Sequence, residues 1–368
     1  MDVTPYEVEG KVDYNRLIKE FGIRELDNEL KERIKRLAGG ELHFLIRRNI
    51  FFAHRDLDWL LDKYEKGEKF YLYTGIAPSG SMTIGHLIPF VLTQWLQKKF
   101  DAEVLIEIPD EEKYFARGID FEVTHKLAIE DASYIVALGF DPKKTKIFIT
   151  SEYIHHLYKH AIRVAKHITF STIKDAFGFD NSTNIGLIFY TSLQAVPAFI
   201  KSAEEGKNIP CLIPLGVDQD VHFRIARDVI EKLGYYKPAI LHSKFMPGLS
   251  GSQKMSSSKP EDTIYLKDSD EIVYKKISNA FTGQQPTAEL QRKYGGDPEK
   301  CSVCQYYKFF FEEDDMKLNE IFEAERKGTI LAKEHKEDLA KKVIEFLHKI
   351  NKERERLLPR LDEFMLSD

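Results

Sequence analysis

Two stretches of the chain carry residue types that could handle a nucleotide. The first is "TGIAPSGSMTIGHL", Thr74 to Leu87. Glycine and small residues let a backbone approach a ligand closely, and the exposed N–H groups of a helix start favour anions. His86, at that point, could donate a hydrogen bond to a phosphate oxygen. The second is "SGSQKMSSSKP", Ser250 to Pro260. Lys254 is a point charge suited to a phosphate, and the neighbouring serines supply hydroxyl donors. Neither stretch has the spacing Gly-x-x-x-x-Gly-Lys-Ser/Thr or Gly-x-Gly-x-x-Gly. Each alone also fits an ordinary feature: a histidine capping a strand–helix turn, or a flexible polar loop.

The elements around them decide whether they can meet. "KFYLYT" reads as a strand, and "HLIPFVLTQWLQKKF" as the helix after the first stretch. Pro89 is tolerated only in a first helical turn, so that helix must begin near Gly85 or His86. "AEVLIEI", "KIFIT", "PCLIPL" and "AILHS" read as further strands, separated by "FEVTHKLAIEDASYIVALG" and "QDVHFRIARDVIEKLG", both helical. Such alternation predicts a doubly wound, Rossmann-like parallel sheet with helices on both faces. Ligands bind beyond the carboxyl ends of the strands in that architecture. The two stretches and "GVDQD" (Gly216 to Asp220) all follow strands and are expected to share one crevice. Before the sheet, "DYNRLIKEFG", "RELDNELKERIKRLAGG" and "HRDLDWLLDKYEKG" read as helices closed by glycine. After it, Asp268 is expected to cap "DEIVYKKISNAF", and charged helices run to Arg360. The division expected is a helical segment over 1–66, a catalytic domain over 67–266 and a helical domain over 267–368.

The chain has 368 residues and a formal net charge of −5, so a polyanionic partner must meet a local basic patch. Three cysteines are too few for a disulfide framework, and no apolar stretch is long enough to span a membrane. The opening "MDVTPYEVEG" lacks the basic start and apolar run of a signal peptide, which leads to the expectation of a cytoplasmic protein. "CSVC" (Cys301, Cys304) is a single Cys-x-x-Cys, and a structural zinc site needs two further ligands. His156 and His160 lack the glutamate of a zincin. No metal site is therefore assigned from the sequence.

Taken together, in order, Thr-Ile-Gly-His and Lys-Met-Ser-Ser-Ser resemble the paired signature of class I aminoacyl-tRNA synthetases. The longer blocks "KHITFSTIKDAFGF", "SLQAVPAF", "CLIPLGVDQDVHFRIARDV" and "KPAILHSKF" resemble the eukaryotic and archaeal tryptophanyl branch over nearly the whole chain. The lack of an extra N-terminal domain favours the archaeal type. Two positions depart from the class pattern. Thr83 stands where a histidine is usual, and Ser257 where a second lysine is usual.

The resemblance implies roles residue by residue. Tyr73 and Glu107 would face the indole of tryptophan, and Glu107 occupies a position that usually carries glutamine. Gln194, Gln219 and Glu112 would hold the ammonium and carboxylate. Gly75, Gly85, His86, Ser256, Ser258 and Lys254 would contact ATP, and Asp218 the ribose. Lys254, His86, Thr83 and Lys113 would serve the chemistry. The implied partners are L-tryptophan, ATP with Mg²⁺, tRNA(Trp) and a second copy in a homodimer. The helical domain would read the anticodon. A tyrosyl enzyme of the same branch, a small-molecule nucleotidyltransferase and a non-catalytic RNA-binding paralogue are the alternatives.

Overall fold

The computed structural model describes residues 12–367. Eight strands form one sheet: β1 (Arg24–Glu25), β2 (Phe51–Arg55), β3 (Tyr71–Gly75), β4 (Glu103–Ile108), β5 (Thr145–Ile149), β6 (Cys211–Gly216), β7 (Ala239–Ser243) and β8 (Met365–Leu366). Their order across the sheet is β1-β2-β7-β6-β3-β4-β5-β8. The five strands from β7 to β5 are mutually parallel, and the order reverses at β3, flanked by β4 and β6. This is the Rossmann-like, doubly wound arrangement expected from the alternation of strands and helices. The switch at β3 opens a crevice beyond its carboxyl end.

Side-chain alternation along the strands explains the two covered faces. Leu72, Val104, Ile106, Ile147 and Leu212 lie in one apolar cluster. Tyr71, Tyr73, Leu105, Phe148 and Ile213 lie in another. The register sets Tyr73 opposite Leu105 and Gly75 opposite Glu107. Tyr73 and Glu107 therefore project from one face, at the ends of neighbouring strands.

Three local readings differ from the sequence expectation. The N-terminal helices are present at Tyr14–Phe21, Asn28–Leu37 and Leu57–Glu65, but β1 and β2 lie between them and extend the sheet antiparallel to β7. Apolar "NIFFAH" has no polar alternation because β2 is buried on both faces. Second, the helix Asp270–Ser278 is capped by Ser269, whose hydroxyl accepts the Ile272 N–H. Asp268 is engaged instead with the Tyr265 N–H and the Lys276 ammonium, 2.6 Å away. Third, the helices that follow do not end the fold. The 26-residue helix Ala332–Leu357 leads to β8, which pairs parallel with β5.

Candidate active site

The helix Leu87–Phe100 begins where Pro89 requires, preceded by a single 3-10 turn, Ile84–His86. Thr83 caps that turn. Its hydroxyl accepts the His86 N–H at 3.3 Å, and His86 Nδ1 accepts the Thr83 N–H at 3.2 Å. This reciprocal box satisfies two donors at the helix start and fixes the imidazole. With Nδ1 accepting, the ring proton resides on Nε2. Burial, aided by the charges of Lys254 and Lys113, holds the His86 pKa at about 4, so the ring is a neutral donor.

The second stretch is pinned against the first. Thr83 and Tyr265 form an isolated β-bridge, and the Ile84 N–H donates to the Ile264 carbonyl. Asp262 accepts from the Ser250 N–H and the Ser252 hydroxyl. A Cβ on Gly248 would lie 2.2 Å from Asp262 Oδ2, so only glycine allows that approach. Tyr265 donates its hydroxyl to the Ser257 carbonyl at 2.7 Å. The Ser257 and Ser79 hydroxyls stand 3.4 Å apart, and the two loops touch.

Between them lies a cleft of about 270 Å³ beyond the ends of β3, β4 and β6. Every site residue expected from the sequence lines it except Ser258. Ser258 sits one step back, its hydroxyl 2.8 Å from that of Ser256. Lys254 Nζ is 2.8 Å from Asp218 Oδ2 and 4.7 Å above the Phe245 ring. Lys113 Nζ is 2.7 Å from Glu112 Oε2. This contact is an ion pair without hydrogen-bond geometry, since that oxygen has no hydrogen-bond partner among the described residues. Gln194 closes its helix, and its buried Oε1 has no hydrogen-bond partner among the described residues. Gln219 and Asp218 share the 3-10 turn after β6.

At the inner end, the Tyr73 hydroxyl donates to Glu107 Oε2, and the Thr150 hydroxyl lies 3.4 Å from Oε1. Burial raises the Glu107 carboxyl to about 8 against the lowering effect of both hydroxyls. At neutral pH Glu107 is thus mostly protonated. A neutral carboxyl offers one acceptor oxygen and one donor, as a glutamine amide does. A Cβ on Gly75 would meet the Glu107 carbonyl oxygen at 2.6 Å, so glycine is required where β3 passes that carbonyl. At Gly85 a Cβ would make only ordinary contacts, the nearest with Met255 Sδ at 3.4 Å.

Tyr190, His222 and Arg117 also line the cleft and were not singled out from the sequence. His222 falls three residues after Gln219 on the same helical face, and Arg117 four after Lys113. That spacing was the available signal. Burial, with the Lys113 charge, holds the His222 pKa at about 3.

The doubly wound sheet and the cleft that the two loops close beyond its strand ends place the chain among the α/β proteins that bind ligands at a topological switch point. Residues 65–348 match the family model of the class I tRNA synthetases for tryptophan and tyrosine, and the chain belongs to that family. Within it, the similarity runs to the tryptophan members. The chain is 50% identical over 357 residues to a tryptophan–tRNA ligase of Saccharolobus solfataricus, covering 96% of this chain and 92% of that one. It is 48% identical to that of Pyrococcus furiosus, covering 98% and 93%. Among solved structures, the tryptophanyl-tRNA synthetase of Aeropyrum pernix superposes with a TM-score of 0.89 at 31% identity, over 97% of both chains. The Plasmodium falciparum enzyme superposes with a TM-score of 0.89 at 38% identity, over 96% of this chain and 97% of that one.

Proposed function

We propose that the cleft activates L-tryptophan with ATP and passes the tryptophanyl group to the 3′ end of tRNA(Trp). The observation that carries this reading is the cleft's polarity. A neutral Tyr73–Glu107 pair closes its inner end, and His86, Lys113 and Lys254 line the part that faces the two loops. The inner end suits a flat apolar ring with one N–H, and the outer part suits phosphates.

In the first step the tryptophan carboxylate attacks the α-phosphorus of ATP in line. A carboxyl–phosphoryl bond forms, and the bond to the bridging oxygen breaks with its electrons going to pyrophosphate. Transfer of this kind leaves little covalent work for the protein, so catalysis is positioning and charge stabilisation. Gln194, Gln219 and Glu112 hold the amino acid by its ammonium and carboxylate. The neutral His86 donates from Nε2 to a phosphate oxygen. Lys254 leaves Asp218 to meet charge that grows on the leaving pyrophosphate, while Asp218 turns to the ribose. Thr83 acts through its cap on His86. In the second step the terminal ribose of tRNA takes the acyl group, on its 2′-hydroxyl by analogy with the class, and AMP leaves.

Mg²⁺ enters with ATP as part of the substrate. Asp218 and Glu112 are each engaged by a lysine, and phosphate oxygens and water would supply its ligands. The lysines and arginines of Ala332–Leu357, among them the exposed Lys341, Lys349, Lys352 and Arg356, would meet the tRNA backbone. No described helix is long and apolar enough to cross a membrane. A cytoplasmic homodimer completes the reading.

Amino-acid-dependent pyrophosphate exchange tests it. Exchange with tryptophan should far exceed exchange with tyrosine. The reverse preference would assign the cleft to a phenol, and no exchange with either would leave an RNA-binding role.

A further inference from the structure

We propose that Cys301, Cys304, Glu325 and His335 bind one structural zinc ion in the helical region after the catalytic sheet. The four come from three elements. Cys301 and Cys304 open the short helix Ser302–Tyr306, Glu325 ends the helix Asp315–Arg326, and His335 lies in the first turn of Ala332–Leu357. One ligand atom from each lies within 4.8 Å of the others, and all four side chains are buried.

The chemistry of the cluster is unfinished without a cation. Among the described residues, neither ring nitrogen of His335 has a hydrogen-bond partner, and Glu325 Oε1 has none. Native proteins rarely bury such atoms unpaired. His335 Nδ1 stands 3.3 Å from Glu325 Oε2. Two ligands of one tetrahedral zinc, each about 2.0–2.1 Å from the metal, are about 3.3 Å apart. Drawing the remaining donors inward by about 1 Å would complete the tetrahedron. Two thiolates, an imidazole and one carboxylate suit zinc, whereas an all-oxygen set would suit magnesium or calcium.

The surroundings hold the ligands as outer-shell partners do in zinc sites. Gln284 Nε2 donates to Glu325 Oε2 at 2.8 Å, and the Tyr307 ring stacks on His335 with 5.5 Å between centroids. Binding would release the thiol protons to solvent as two sulfur–zinc bonds form.

Such an ion would also steady the loop of Lys254. The Ser302 N–H donates to the Phe281 carbonyl, and the Phe281 N–H to the Leu249 carbonyl. The Phe281 ring packs against Gly251.

The test uses the full chain purified from zinc-supplemented medium. Elemental analysis should find close to one zinc per chain. Cobalt(II) exchanged into the same protein should show sulfur-to-cobalt charge transfer and the intense visible bands of a tetrahedral ion. Cys301→Ser with Cys304→Ser should cut zinc content about tenfold or more, while Cys211→Ser should retain it. If the double variant does not fold, Gln284→Ala, which leaves all four ligands in place, should weaken zinc retention against a chelator. Wild-type protein holding less than about a tenth of an equivalent, with a thermal midpoint unmoved by zinc or by chelator, would overturn the proposal.

Discussion

Replacing Glu107 by glutamine tests the reading of the inner pocket most directly. Burial raises this carboxyl from 4.5 to about 8, so the folded protein keeps a proton that the unfolded chain gives up. The stabilisation from that proton is complete below the ordinary carboxyl range. It is lost as pH rises from there toward 8, at about 1.4 kcal/mol per pH unit. At about pH 7 the loss has reached roughly 3 kcal/mol. Glu107→Gln keeps an acceptor oxygen for the Tyr73 hydroxyl and has no proton to lose. The variant and the wild type should therefore be close in stability near pH 5, and the variant should pull ahead steadily up to about pH 8. Other titrating groups cancel in the difference. The assay is urea unfolding of both proteins at several pH values, followed by fluorescence and circular dichroism to check that the transitions coincide. Tryptophan activation should survive, since the neutral pair is retained. A stability difference that does not change between pH 5 and 8 would refute the neutral Glu107.

Lys254→Ala should slow single-turnover adenylate formation by about 2–4 kcal/mol, or roughly 30- to 1,000-fold, with tryptophan affinity nearly intact. An unchanged rate would remove Lys254 from the mechanism. Affinity for tRNA should fall steeply between low and moderate salt, because neutralised phosphates release counterions; filter binding measures the slope, and a flat response would exclude the basic helix as the docking surface. Asp220 is buried, and burial works to raise its carboxyl, yet the hydrogen bonds from His242 and Arg55 outweigh that and hold it well below the usual range. Asp220→Asn should cost about 3–5 kcal/mol in urea unfolding near neutral pH, a loss that fades on acidification below the ordinary aspartate value.

The parallel sheet was legible because its strands are short apolar runs divided by long amphipathic helices. The start of the Leu87–Phe100 helix was legible because Pro89 forbids any other. Strand β2 was not legible. Its residues sit beside helix-forming neighbours, and only pairing with β7 makes Phe51–Arg55 extended. The cap at Ser269 was missed because Asp268, one residue earlier, is an equally good capping type whose carboxylate is drawn to Lys276. In the cleft, the residues of the two loops follow from their local sequence, whereas His222 and Arg117 owe their places to helical phase. Cys301 and Cys304 read in the sequence as a lone Cys-x-x-Cys, to which no metal site was assigned. Glu325 and His335 lie in helices whose sequence reads as plain amphipathic surface, and folding alone brings them in.

The strand β8 has a bearing on how the chain must be made. It pairs Met365 with Ile147 and Leu366 with Phe148. On a ribosome, β5 emerges long before its outer neighbour. Until the helix Ala332–Leu357 docks and delivers β8, the nascent sheet has an open edge of unpaired amides and carbonyls. Such an edge can template pairing with another chain. Closure of that edge is a contact between residues distant in sequence, which makes it a late and slow event. A chain cut near Asp268 would never achieve it. Such a fragment should associate through β5, so any defect in tRNA charging measured on it would report sticky nascent-like edges as much as a missing RNA surface. Covering β5 with a short grafted strand would separate the two effects.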